Sequence, residues 1–140
     1  MSRYVVHLTP ANCPGSPAFL PDATFAQQFC RPDVICIAAF AQAKTQELVG
    51  FVAIWPLKRG TYELTRLCTA PAYRHKGLGQ RLLAASKAAA RQQGAKWLHI
   101  GVINENRPLK QWYAAQGFRE TTQKVIADLP FTVCEMTCRL

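Results

Sequence analysis

A chain of 140 residues has the length of one domain, because single hydrophobic cores commonly organise roughly 100–200 residues. Its 49% hydrophobic and 18% charged content excludes a disordered or collagen-like chain, and no run approaches the roughly 18 apolar residues of a membrane-spanning helix. Lys and Arg exceed Asp and Glu by nine. The excess sits in one place: residues 58–110 hold eleven bases against Glu63 and Glu105, while the stretches on either side balance. A local positive field suits an anionic partner such as a phosphorylated cofactor, a nucleic acid or an acidic surface. A solvated basic helix face reads the same way.

Residues 1–140 read as one domain, without repeats, low-complexity tracts or a dividing linker. The opening Met1-Ser2-Arg3-Tyr4-Val5-Val6-His7 shows no apolar signal core or cleavage site, so the expected location is cytoplasmic, with no membrane partner. The six cysteines, 13, 30, 36, 68, 134 and 138, form no Cys-x-x-Cys pair and no Cys/His ligand spacing. They read as small apolar residues, with no metal expected.

In chain order, residues 3–9 predict a first strand, 10–21 a Pro-rich loop, and 23–31 a short helix behind an Asp22 cap. Two β-rich runs, 34–42 and 48–57, flank the polar stretch Ala43–Glu47 and read as a hairpin; 61–69 extends it into an antiparallel meander. The period then changes. Residues 77–93 place Leu78, Leu82, Ala85 and Ala89 on one stripe and stop at Gly94, which predicts an amphipathic helix. Residues 97–103 read as a buried strand, 106–116 as a helix closed by Gly117, and 118–127 and 131–139 as two last strands. This order is mixed α/β, and its strand-helix-strand crossover should set two central strands parallel.

The chemistry-bearing motif lies where the third β run meets the long helix: Arg74-His75-Lys76-Gly77-Leu78-Gly79-Gln80. Two glycines permit a sharp turn and close approach by a ligand. The helix adds unpaired amides and the positive end of its dipole, so the junction suits a pyrophosphate. A tight turn with a flexible cap would have the same spelling. A Walker loop fails because Gly79 is followed by Gln80-Arg81, and a dinucleotide fingerprint fails because Leu82 stands at its third glycine.

The loop Arg74-x-x-Gly77-x-Gly79, with Asn106 seven residues before Tyr113 and Gly117-Phe118 four residues after it, resembles the GNAT superfamily of acyl-CoA-dependent N-acetyltransferases. The closing Leu129-Pro130-Phe131-Thr132-Val133-x-x-Met136 is similar to the last strand of many bacterial members. The resemblance covers residues 48–140 and is loose before them. It implies a single-domain α/β fold: a mixed, mostly antiparallel sheet, a central parallel pair splayed at the cofactor site, and helices on both faces.

It also implies acetyl-CoA as donor, with no metal. The pantetheine would lie along Leu67, Cys68 and Thr69, the pyrophosphate on the amides of residues 76–80 beside Arg74 and His75, and Asn106 would reach the pantetheine. The loop residues concerned are Lys76, Gly77, Leu78, Gly79 and Gln80. Arg107 and Lys110 are candidates for the 3′-phosphate. Tyr113 matches the family's general acid, and Glu63 stands where the histone-acetyltransferase branch carries its base. Period two sets Glu63, Thr65, Leu67 and Thr69 on one strand face. Glu105 or ordered water are the other candidates for the base, whereas His75 reads as a loop residue and His99 as a buried strand histidine. The expected acceptor is a small-molecule or peptide amine, taken by direct attack in a ternary complex. A homodimer through the sheet edge is open. The rival readings are a basic nucleic-acid-binding module, disfavoured because no groove-reading motif is spelled out, and a CoA-binding protein of this fold without turnover.

Overall fold

The computed structural model describes residues 31–41 and 47–140. The strand expected at 3–9, the Pro-rich loop, most of the helix expected at 23–31 and the hairpin turn fall outside them. Six strands and two α-helices follow: β1 (Ile35–Ala41), β2 (Glu47–Lys58), β3 (Thr61–Thr69), α1 (Leu78–Gln92), β4 (Trp97–Ile103), α2 (Arg107–Ala115), β5 (Arg119–Val125) and β6 (Thr132–Arg139). A short 3₁₀ turn, Pro71–Tyr73, joins β3 to the glycine loop.

The strands form one sheet in the order β1-β2-β3-β4-β6-β5. All neighbours are antiparallel except β3 and β4, the pair joined by the α1 crossover, as the order of elements requires. β3 and β4 pair only from Thr61↔Trp97 to Glu63↔His99. Beyond these residues they diverge, and the sheet opens at its centre.

Alternation on β4 and β6 turns Leu98, Ile100 and Val102, with Cys134, Met136 and Cys138, onto one face, where they join Leu82, Leu83, Ala90, Tyr113 and Phe118 in the core. Each fully buried Leu or Ile contributes about 1.5–3 kcal/mol. The helices lie side by side there: Lys87 of α1 donates to the Gln116 carbonyl at the end of α2 (2.6 Å). Gly94 (φ 82°) and Gly117 (φ 96°) follow the helices in left-handed conformations, as their positions in the sequence suggest.

The α1 stripe is rotated from the expected one. Leu82, Leu83, Ser86 and Ala90 are buried, whereas Ala85 is exposed and Leu78 and Ala89 are half-buried. The helix approaches β2 closely at Leu78 and Leu82: a Cβ on Gly50 would stand 2.8 Å from Leu82 Cδ1 and 3.3 Å from Leu78 Cδ2. Ser86 is tolerated inside because its hydroxyl donates to the Leu82 carbonyl (2.8 Å), which leaves no orphaned polar atom.

Candidate active site

At the C-terminal end of β3 the chain passes through the Pro71–Tyr73 turn into a loop of alternating hand. Arg74 is extended (φ −70°, ψ 155°), and His75 (φ 62°) and Gly77 (φ 79°) are left-handed. A non-glycine residue in that region costs roughly 1–2 kcal/mol, so the turn at His75 is held against its own preference. The first α1 bond runs from the Arg81 amide to the Gly77 carbonyl (3.1 Å). Among the described residues, no backbone carbonyl accepts from the amides of His75 through Gln80. These donors and the helix dipole converge on one concave surface.

That surface is one wall of a cavity of about 640 Å³. Leu67, Cys68 and Thr69 of β3 form a second wall; Arg74, His75, Gly77, Leu78, Gly79 and Gln80 form the loop wall; Tyr113 closes it from α2. Sequence reasoning missed three lining residues, Tyr73, Leu109 and Trp112. The Trp112 ring would stand 3.5 Å from a Cβ on Gly79, an ordinary contact, whereas Gly77 is needed for its φ of 79°.

Two residues expected at the cofactor are not on this lining. Lys76 is exposed, with its ammonium 5.7 Å from the centre of the Tyr73 ring. Asn106 is the N-cap of α2, its side-chain oxygen accepting from the Leu109 amide (3.2 Å), as Asn commonly does. Lys110, a candidate for the 3′-phosphate, is already paired with Glu120 and donates to Asn104 Oδ1 (2.7 Å).

β3 carries a bulge where it meets the cavity. Ala53 pairs with Thr65 and Phe51 with Cys68, so Arg66 and Leu67 share one partner position, with Arg66 at φ 56°. The extra residue resets the alternation. Tyr62, Leu64 and Leu67 face the helix-side core, and Glu63 faces the other side. The expectation that Glu63 and Leu67 share a face fails for this reason.

Glu63 nevertheless borders the opening between the strands. A cleft of about 330 Å³ runs between β3 and β4, lined by Glu63, Leu67, Gly101 and Ile103 and reaching Leu109 and Tyr113. The Glu63 carboxylate accepts from the Trp55 indole N–H (2.9 Å). Glu105 points elsewhere: its carboxylate accepts from the Thr132 amide (3.1 and 3.3 Å), bracing the β4–α2 turn against β6. That amide bond holds the Glu105 carboxyl below its ordinary range.

Tyr113 is 6% exposed and gripped edge-on by Trp112 (4.9 Å between centroids) and Phe118 (5.3 Å). Burial pushes its hydroxyl up to about 12, so it carries its proton throughout the neutral range. Cys68, beside it on the lining, is an exposed free thiol. No group of His, Cys, Asp and Glu among the described residues can hold a metal ion, and no described helix is long and apolar enough to cross a membrane.

Residues 5–118 match the family model described as "Acetyltransferase (GNAT) family". An uncharacterized N-acetyltransferase of Bacillus subtilis, YhfO, is 38% identical over 82 residues, 54% of either chain, so the match spans about half the length of that relative. Among solved structures, an aminoglycoside 6′-N-acetyltransferase complexed with coenzyme A superposes with a TM-score of 0.72 at 17% identity, covering 91% of this chain and 85% of that one. The ribosomal-protein-S18-alanine N-acetyltransferase of Escherichia coli gives 0.72 at 19% identity, covering 86% and 77%. At such identities the likeness is one of fold.

Proposed function

Because this chain belongs to the GNAT family of acetyltransferases, we propose that it is an N-acetyltransferase moving the acetyl group of acetyl-CoA to a primary amine by direct attack in a ternary complex. The observation that carries the reading is the 640 Å³ cavity in which the unbonded amides of the glycine loop meet β3 and the Tyr113 hydroxyl. The residues suit a diphosphate with a thioester tail: backbone donors at a helix N-terminus for the charge, and the half-buried Leu67 beside the β3 bulge for the apolar arm.

The chemistry then divides between the two sides of the opened sheet. An acceptor ammonium, with a pKa near about 10.4 for a lysine-type amine, has to lose a proton before it can attack. Glu63, on the far side of the cleft, takes that proton. The nitrogen bonds to the thioester carbon, and the carbonyl oxygen gains charge beside the bulge at Arg66 and Leu67, where the ladder is interrupted and a main-chain donor can meet it. The C–S bond breaks, Tyr113 gives its proton to the departing sulfur, and the second nitrogen proton restores Tyr113, leaving on Glu63 the one proton released. Products are the acetamide, CoA thiol and one net proton.

The relatives named above act on an aminoglycoside amine and on a protein alanine; the acceptor class proposed here is the primary amine they share. Isothermal titration with CoA, followed by a free-thiol screen of acetyl-CoA against amino acids, peptides and small amines, tests the reading. Micromolar CoA binding and thiol release with at least one amine are expected. Absence of CoA heat at millimolar ligand would remove it.

A further inference from the structure

Outside the cavity, one row of polar side chains crosses the sheet face opposite the helices. It runs from Trp55 on β2 through Glu63 on β3 and His99 on β4 to Glu135 on β6 and Lys124 on β5. The His99 ring stands between two carboxylates, with Nδ1 3.8 Å from Glu63 Oε1 and Nε2 3.7 Å from Glu135 Oε1. Glu135 in turn accepts from Lys124 Nζ (2.9 Å). The His99 side chain is 14% exposed. Its Nδ1 is buried and, among the described residues, has no hydrogen-bond partner.

A buried ring nitrogen without a hydrogen-bond partner is costly to desolvate, so its retention asks for a reason. Its position supplies a chemical one. Glu63 borders two spaces: the cleft that reaches Tyr113 and an open basin of about 840 Å³ on the outer face, lined by His99, Glu135, Lys124 and Trp97. His99 is in the basin lining and not in that of the cleft. Amide formation from an ammonium releases one net proton per turnover, and Glu63, which borders the basin as well as the cleft, has His99 next to it on the basin side.

We propose that His99 is the proton exit of the reaction, taking at Nδ1 the proton that Glu63 removes from the acceptor and releasing one from Nε2 toward Glu135 and the basin. The inference rests on Glu63 being the base. A ring shift of roughly 0.5–0.8 Å closes either gap to hydrogen-bond length. Each transfer balances: Glu63 returns to carboxylate as the imidazole becomes imidazolium, the imidazolium loses its Nε2 proton to solvent, and the Nδ1–H tautomer left behind resets to Nε2–H by proton exchange with water before the next turnover. The charged groups facing the ring or the basin are Glu63, Glu135, Lys124, and Lys58 and Arg59 at the end of β2. The two carboxylates nearest the ring stabilise the transient imidazolium.

The test uses the whole protein, acetyl-CoA and benzylamine as probe acceptor. Where benzylamine is not taken, acetyl-CoA hydrolysis with water as nucleophile replaces it. His99→Gln is expected to lower kcat roughly 10- to 100-fold, toward the lower end of what a positioned proton-transfer group contributes. KM for acetyl-CoA and the thermal midpoint should stay near wild type. Added free imidazole, corrected for the enzyme-free reaction, should restore part of the lost rate in the variant and leave wild type unchanged. A merely structural histidine would give a lowered midpoint and no imidazole rescue, and that result overturns the proposal, as does an unchanged kcat. Glu63→Gln separates the two readings. If it is slow while His99→Gln is not, the exit alone fails; if it is as fast as wild type, the base assignment fails and the exit with it.

Discussion

Gly77 offers the sharpest test of where the diphosphate sits, because two nearly isosteric substitutions separate backbone strain from charge. The residue lies at φ 79°, ψ 6°, and a Cβ there would meet nothing within 4 Å. Gly77→Asn and Gly77→Asp therefore share the same modest cost, about 1 kcal/mol or less, since Asn and Asp visit the left-handed region more readily than other side chains. They differ in one charge. A carboxylate about 5–6 Å from a diphosphate held on the loop amides interacts unfavourably by roughly 3 kcal/mol per unit charge at an effective dielectric near 20. Salt screening brings this toward roughly 2–3 kcal/mol. The aspartate variant should thus bind CoA about 30- to 150-fold more weakly than the asparagine variant. Titration calorimetry of both proteins, beside thermal melts showing equal midpoints, measures the difference. Equal CoA affinity in the two variants would place the diphosphate elsewhere and refute the site.

Three further predictions rest on the site and the core. Tyr113→Phe should lower kcat while leaving CoA affinity near wild type, since it removes the proposed proton donor and keeps the ring between Trp112 and Phe118; an unchanged rate at saturating substrates removes Tyr113 from that role. The same residue sets an alkaline limit. Its hydroxyl is raised from 10.0 to about 12 by burial, so below pH 10 both folded and unfolded chains keep the proton, and between pH 10 and 12 the unfolded chain alone releases it. Stability should fall through that window by about 2–3 kcal/mol, and urea titrations at pH 9 and 11.5 should show a smaller loss for Tyr113→Phe than for wild type. Gly50→Ala should destabilise by roughly 1–3 kcal/mol, because its methyl would press on Leu82 Cδ1 at 2.8 Å; a denaturation midpoint equal to wild type would show that α1 does not need the close approach.

What the sequence made legible was local. β3 and β4 fall at the expected 61–69 and 97–103, since each is a run of β-formers between polar or glycine breaks. The parallel pair followed from the strand-helix-strand order, and the Arg74–Gln80 loop from two glycines before an amphipathic helix. The features missed are those that need a partner strand or a neighbouring helix to exist. The bulge at Arg66 depends on which residues of β2 stand opposite, so counting by twos along β3 put Glu63 and Leu67 on one face. The buried α1 stripe is Leu82, Leu83, Ser86 and Ala90, and how the helix sits, including its close approach to Gly50 on another strand, is set by tertiary packing. Asn106 bears the spelling of a cofactor contact, yet its side-chain oxygen is engaged as a helix cap; nothing in the sequence ranks those uses.

His99 shows the same division at the site itself. Read along β4, it is one polar residue in a buried strand, and a satisfied core histidine is the ordinary expectation. Its meaning comes from residues far away in the chain. Parallel register sets Glu63 beside it, and β6 carries Glu135 to its other nitrogen. The bulge that turns Leu67 toward the helices leaves Glu63 on the outer side, so the proposed base and its proposed proton exit share one face while the cavity lined by Leu67 and Tyr113 occupies the other. A straight β3 would keep Glu63 and Leu67 on one face, putting carboxylate, thioester and departing proton in one space. One extra residue at Arg66 is what separates them.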